Sequence, residues 1–121
     1  MFVREYTPIA VTIGNGEALS ETINMKDFSG GIVIIPSAWT DANLGFKVSP
    51  TPDGTFVILH SSVGVPVQIG EIVTNASYAY AIPEAIFAAG FMKLWSKNTT
   101  DATVTDTNQG AARNITVLLK S

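Results

Sequence analysis

Ile32-Val33-Ile34-Ile35-Pro36-Ser37-Ala38-Trp39, then Leu44-Gly45-Phe46-Lys47-Val48-Ser49, then Asp53-Gly54-Thr55-Phe56-Val57-Ile58-Leu59: this passage decides the fold. Apolar runs of strand length are separated by Pro, Asn, Asp and Gly. That punctuation belongs to antiparallel β structure and leaves no room for a long helix. The run at 32–35 is apolar at every position, so it reads as a strand covered on both sides, by two layers or by one layer and a neighbouring subunit. Pro36 closes it, and Trp39 follows in a connection, where burial over the end of a sandwich is its plain reading.

The rest of the chain repeats the pattern. Ile9, Val11 and Ile13 alternate with Ala10 and Thr12 as a first strand, and Gly14-Asn15-Gly16 offers a tight turn. Residues 17–24 read either as a second strand carrying Leu19 and Ile23 or as a short helix, and Ser29-Gly30-Gly31 is expected to end that element. Further strands are expected at 55–60, at 67–73 and at 77–82, the last with Tyr78, Tyr80 and Ile82 on one face. Pro83 to Ala89, with Pro at the start and Gly90 after it, is the best helix candidate. Strands at 91–96 and 114–119 complete the set, the latter with Ile115, Val117 and Leu119 inward.

The expected fold is therefore all-β: a single antiparallel β-sandwich, jelly-roll-like, over residues 1–121, with at most one short helix. One stretch breaks the pattern. Residues 97–113 are polar and threonine-rich, with Val104 as the one large apolar side chain. A segment of that length is expected to be a functional loop or an arm ordered by a neighbour.

Composition narrows the function. Of 121 residues, 46% are apolar and 14% charged, against a usual charged share of about 25%. Depletion of charge marks interface cores, so an assembled state is expected. Seven basic and ten acidic residues give a net charge of −3 with neither sign clustered along the chain. Nucleic-acid binding needs a basic stripe, which the sequence lacks. There is no cysteine, which excludes disulfides and thiolate metal sites. The opening residues lack a signal-peptide pattern and no run reaches membrane-span length, so the expectation is synthesis in a cytoplasm with no membrane partner.

Catalytic motifs are missing. His60 is the one histidine; it sits beside Ser61 and Ser62 without a Gly-x-Ser-x-Gly elbow, and it reads as a strand-end residue. One histidine and no cysteine cannot make a zinc centre. Asp53 precedes Gly54 and reads as a turn former. Asp101, Asp106 and Asn108 do not match a calcium-loop spacing. The expectation is no enzyme, no metal and no cofactor. Trp39 and Trp95 would form a carbohydrate platform only if exposed. The candidate interface residues are Ile32, Ile34, Trp39, Thr99, Thr100, Asp101, Thr103 and Val104.

Several segments in one order carry a resemblance. They are Ile35-Pro36-Ser37-Ala38-Trp39-Thr40, Leu44-Gly45-Phe46-Lys47-Val48-Ser49, Asp53-Gly54-Thr55-Phe56, Tyr80-Ala81-Ile82-Pro83, Phe91-Met92-Lys93-Leu94-Trp95-Ser96, and the passage from Asn108-Gln109-Gly110 to Val117. From about Gly14 onward the chain resembles small β-rich virion proteins of tailed bacteriophages. It departs from them at Val63-Gly64-Val65-Pro66, which is less acidic. The resemblance implies a capsid decoration or cement subunit with a jelly-roll-like sandwich. It would be made in the host bacterial cytoplasm and placed on the capsid surface. Its partners would be the major capsid protein or other virion subunits, and it would be a homo-oligomer, a trimer in particular. The competing expectation is a tail, fibre or baseplate sandwich that binds cell-surface carbohydrate.

Overall fold

The computed structural model describes residues 6–100 and 103–121. Nine strands follow one another: β1 (Tyr6–Ile13), β2 (Ile23–Asn24), β3 (Gly30–Ile35), β4 (Asn43–Ser49), β5 (Val57–Ile58), β6 (Gln68–Ile69), β7 (Tyr78–Ala81), β8 (Phe91–Lys97) and β9 (Arg113–Lys120). They form two antiparallel sheets. The first has the order β1-β9-β3-β7; the second has β2-β8-β4-β5, with β6 also on β4. The chain passes between the sheets repeatedly: β1 first, β2 second, β3 first, β4 to β6 second, β7 first, β8 second, β9 first. This is the jelly-roll form of the β-sandwich, as the strand spacing predicts.

Alternation explains the packing. A strand shows successive side chains to opposite faces. Val33 and Ile35 of β3, Leu44 and Phe46 of β4, Met92 and Leu94 of β8, and Ile115, Val117 and Leu119 of β9 are all buried in one core between the sheets. Trp39 joins them at 2% exposure, its indole N–H donating to Ala42 O at 3.0 Å. It therefore packs over the sandwich end and is no surface residue of this chain. No helix among the described residues is long and apolar enough to cross a membrane.

Four details differ from the sequence reading. Residues 17–24 are extended, not helical. Leu19 bridges Trp95, and Ser20 donates its N–H to Leu94 O, but only Ile23 and Asn24 complete a ladder with β8. Gly30 and Gly31 open β3 instead of closing its predecessor; a Cβ on Gly31 would lie 2.7 Å from Leu118 O, so close strand approach requires glycine there. The helix candidate is a single 3-10 turn, Glu84–Ala88, with Ile86 fully buried. The strands expected at 55–60 and 67–73 shrink to two residues each. In register they are one edge strand on β4: Ile58 faces Lys47, Leu59 N–H donates to Phe46 O, and Gln68 faces Gly45. Between them residues 60–67 leave the sheet in a hairpin closed by the His60–Pro66 bridge.

Trp95 is buried, but outside the core. It lies on the outer face of the second sheet, across from Gly45, where a Cβ would come within 2.6 Å of Trp95 Cε3. Two outcomes follow. Trp39→Ala is expected to lower stability by about 3–5 kcal/mol through loss of buried contact, read as a lower denaturant midpoint at unchanged slope. Gly45→Ala is expected to cost about 1–3 kcal/mol by overpacking against the Trp95 ring, read in the same titration.

Candidate functional site

The outer face of the first sheet is assembled by register. Pro8 stands opposite Leu118, Leu118 opposite Ile32, and Ile32 opposite Ala81. The next outward row is Ala10, Thr116, Ile34 and Ala79. Tyr6, Lys120 and Gly30 form a third row at one end. Across these rows Lys120 is the one charged residue. Ile32, Ile34 and Leu118 are half-buried, while Pro8, Ala10, Ala79 and Ala81 are exposed. Among the described residues no secondary-structure element packs over this face. Its two edges are β1, which carries Pro8, and the short β7. A proline lacks the N–H that an added strand would need, and it is tolerated at an edge. The surface therefore favours contact through its face.

The predicted interface residues divide. Ile32 and Ile34 share this apolar face. The both-sided cover expected for 32–35 is half realised: Val33 and Ile35 meet the core, and Ile32 and Ile34 look outward. Trp39 is internal. Thr99 and Thr100 are exposed beyond β8, on the other sheet, followed by half-buried Thr103 and by Val104 at 48% exposure. Asp101 lies outside the described residues. Sequence reasoning missed Pro8, Ala10, Leu118, Ala79 and Ala81. The signal was available: every outward position of β1, β3 and β7 is uncharged.

The segment at 97–113 is a loop whose second half folds back onto its own chain. Asn98 N–H donates to Thr105 O and Thr107 N–H to Ser96 O, each at 2.9 Å. The Trp95 indole N–H donates to Asp106 Oδ1 at 2.6 Å. Gln109 is the hub. It is fully buried; its amide donates to Ser96 Oγ at 2.8 Å and Thr40 O at 3.3 Å. Its Oε1 accepts from Thr40 N at 2.9 Å and Arg113 Nε at 3.1 Å. Its backbone exchanges bonds with Glu17 O and Gly16 N. Gly16, with φ of 75°, provides the turn conformation that brings this stretch alongside.

At the loop's start Lys97 is fully buried. Its ammonium donates to Gln68 Oε1 at 2.6 Å, Thr100 O at 3.0 Å and Asn98 O at 3.1 Å. These charge-assisted bonds tie β8 to β6 and hold residues 98–100. Beside them lies a polar cleft of about 480 Å³, lined by Asp41, Asn43, Gly70, Glu71 and Thr99. Glu71 has a φ of 55°, unusual for a residue with a Cβ. No aromatic ring and no histidine lines it. Among the described residues no group of three or more His, Cys, Asp or Glu is placed to hold a metal ion. His60 is exposed, with Nδ1 3.2 Å from Ile58 O. With both indoles buried, neither tryptophan offers a face to a sugar.

In comparisons with protein-family models, curated proteins and solved structures, nothing matches this chain.

Gln109→Leu removes the hub and strands donors and acceptors on Thr40, Ser96 and Arg113. The expected cost is about 1–3 kcal/mol for each buried group left unpaired. Limited proteolysis is expected to cut within residues 98–112 in the variant while sparing the parent chain.

Proposed function

We propose that this chain is a structural subunit of a tailed-bacteriophage particle, a capsid decoration or cement protein that acts by binding rather than by catalysis. One observation carries the reading. The jelly roll turns an almost uncharged sheet face outward, formed by Pro8, Ala10, Ile32, Ile34, Ala79, Ala81, Thr116 and Leu118. Contiguous apolar surface of this kind marks an interaction site. Jelly rolls serve as viral coat and lectin domains alike, so the fold alone does not choose. The choice rests on the chemistry of this face and on the resemblance of the chain to small virion proteins.

Magnitude favours an assembly over a simple pair. Four strands spaced at about 4.8 Å and rising about 3.3 Å per residue present an area on the order of 500 Å². A stable interface needs about 800 Å² per partner. One such contact is weak alone. Many identical copies on a shell, or a closed ring of three, add weak contacts into avidity. The partners are the major capsid protein or other virion subunits together with further copies of this chain.

Light scattering of the purified chain is expected to show a homo-oligomer, a trimer, with saturable attachment to empty heads. Ile32→Lys combined with Ile34→Lys is expected to leave the melting temperature near the parent value. The same pair is expected to weaken oligomer formation or head attachment at least about tenfold, equivalent to about 1.4 kcal/mol. A monomer that ignores heads and binds purified tails would overturn the assignment.

A further inference from the structure

The outer face of the second sheet has the opposite chemistry. Lys47 of β4 and Lys93 of β8 stand directly across from each other in the ladder. Cross-strand neighbours of like charge repel. Among the described residues neither makes an ion pair, and nor does Lys26. Each ammonium instead rests over a different ring: Lys47 over Trp95 at 5.0 Å, Lys93 over Phe56 at 4.8 Å, and Lys26 over Phe91 at 4.9 Å. The rings attract the cations and hold the side chains in place, but they do not neutralise them. Three of the seven basic residues of a chain with net charge −3 thus gather uncompensated on one face. The clustering is invisible along the sequence because positions 26, 47 and 93 meet only through strand pairing.

We propose that this face docks a carboxylate-rich segment of another protein. The repelling pair is relieved when an anion sits between its members. Lysines already immobilised over rings lose little further freedom on binding. A cross-strand pair has Cβ atoms about 5 Å apart. Alternate residues on one side of an extended segment are about 7 Å apart, so two carboxylates at i and i+2 can meet both ammoniums. A continuous polyphosphate is a poorer match, since the net negative charge opposes its approach. The two sheets lie back to back, so this cationic face points away from the apolar one. The occupant of one is then not the occupant of the other, and this proposal does not depend on head attachment.

The test is fluorescence anisotropy of the full chain with a labelled, extended Glu-Thr repeat peptide, at 50 mM and 200 mM salt. The expected result is saturable binding that weakens with salt. It is expected to fall at least tenfold in Lys47→Gln/Lys93→Gln and to be retained in Lys47→Arg/Lys93→Arg. Lys120→Gln is the control: Lys120 also rests over a ring, Tyr6 at 5.5 Å, but on the first sheet. It is expected to change binding less than twofold. The melting temperature of the double Gln variant is expected to equal or exceed that of the parent, because a repulsion has been removed. Equal loss in the Lys120 variant, absence of saturable binding, or tighter binding of a single-stranded oligonucleotide of the same charge would each overturn the proposal.

Discussion

Contact between the inner faces of the two sheets sets everything else in this molecule. Ile115, Val117 and Leu119 on the central strand of one sheet meet Met92, Leu94, Leu44 and Phe46 on the central strands of the other. Because side chains alternate, burying these residues also decides which positions look outward. A slip of one residue would turn the apolar set into water, so the register is strongly specified. The outer faces are consequences of that register. Lys47 and Lys93 project from the second sheet because Phe46 and Leu94 must be inside. Ile32 and Ile34 project from the first because Val33 and Ile35 must be.

The sandwich ends are held differently, by polar groups taken out of water. Gln109 joins the turn after β1, the connection after β3, the end of β8 and the start of β9. Lys97 joins β8 to β6 and to the residues after itself. Buried polar groups are stabilising only when satisfied, and here the printed partners of Gln109 use both ends of its amide. The result is a long loop with few degrees of freedom of its own. A sandwich whose connections are pinned in this way presents its sheet faces as fixed surfaces, which suits docking without rearrangement.

The two outer faces divide the chemistry. One is nearly free of charge and gains from exclusion of water. The other carries ammonium groups over aromatic rings and gains from meeting an anion. Exposed apolar surface at Val63, 81% exposed on the hairpin that interrupts the edge strand, adds a third feature that projects from the body. Nothing in this arrangement resembles a reaction centre. The polar cleft at Asp41 and Glu71 is open and without an aromatic wall, and His60 stands apart at the base of the hairpin.

Strand content, the two-sheet architecture and most of the core were legible in the sequence. Apolar periodicity is a local property, and Ile9, Val11, Ile13, Ile115, Val117 and Leu119 show it without help. The interface value of Ile32 and Ile34 was legible too, since a strand apolar on both sides needs cover on both. Other features required the fold. The shortening of two expected strands follows from a hairpin that lifts residues 60–67 off β4. The placement of Trp95 outside the core depends on Gly45 lying opposite it. The Gln109 hub joins positions 16, 40, 96 and 113, and polar residues that meet across such distances leave no periodic trace. The lysine pair has the same origin: pattern along a chain reports which way one side chain points, whereas a like-charged neighbour from another strand is created only by hydrogen-bonded pairing in three dimensions.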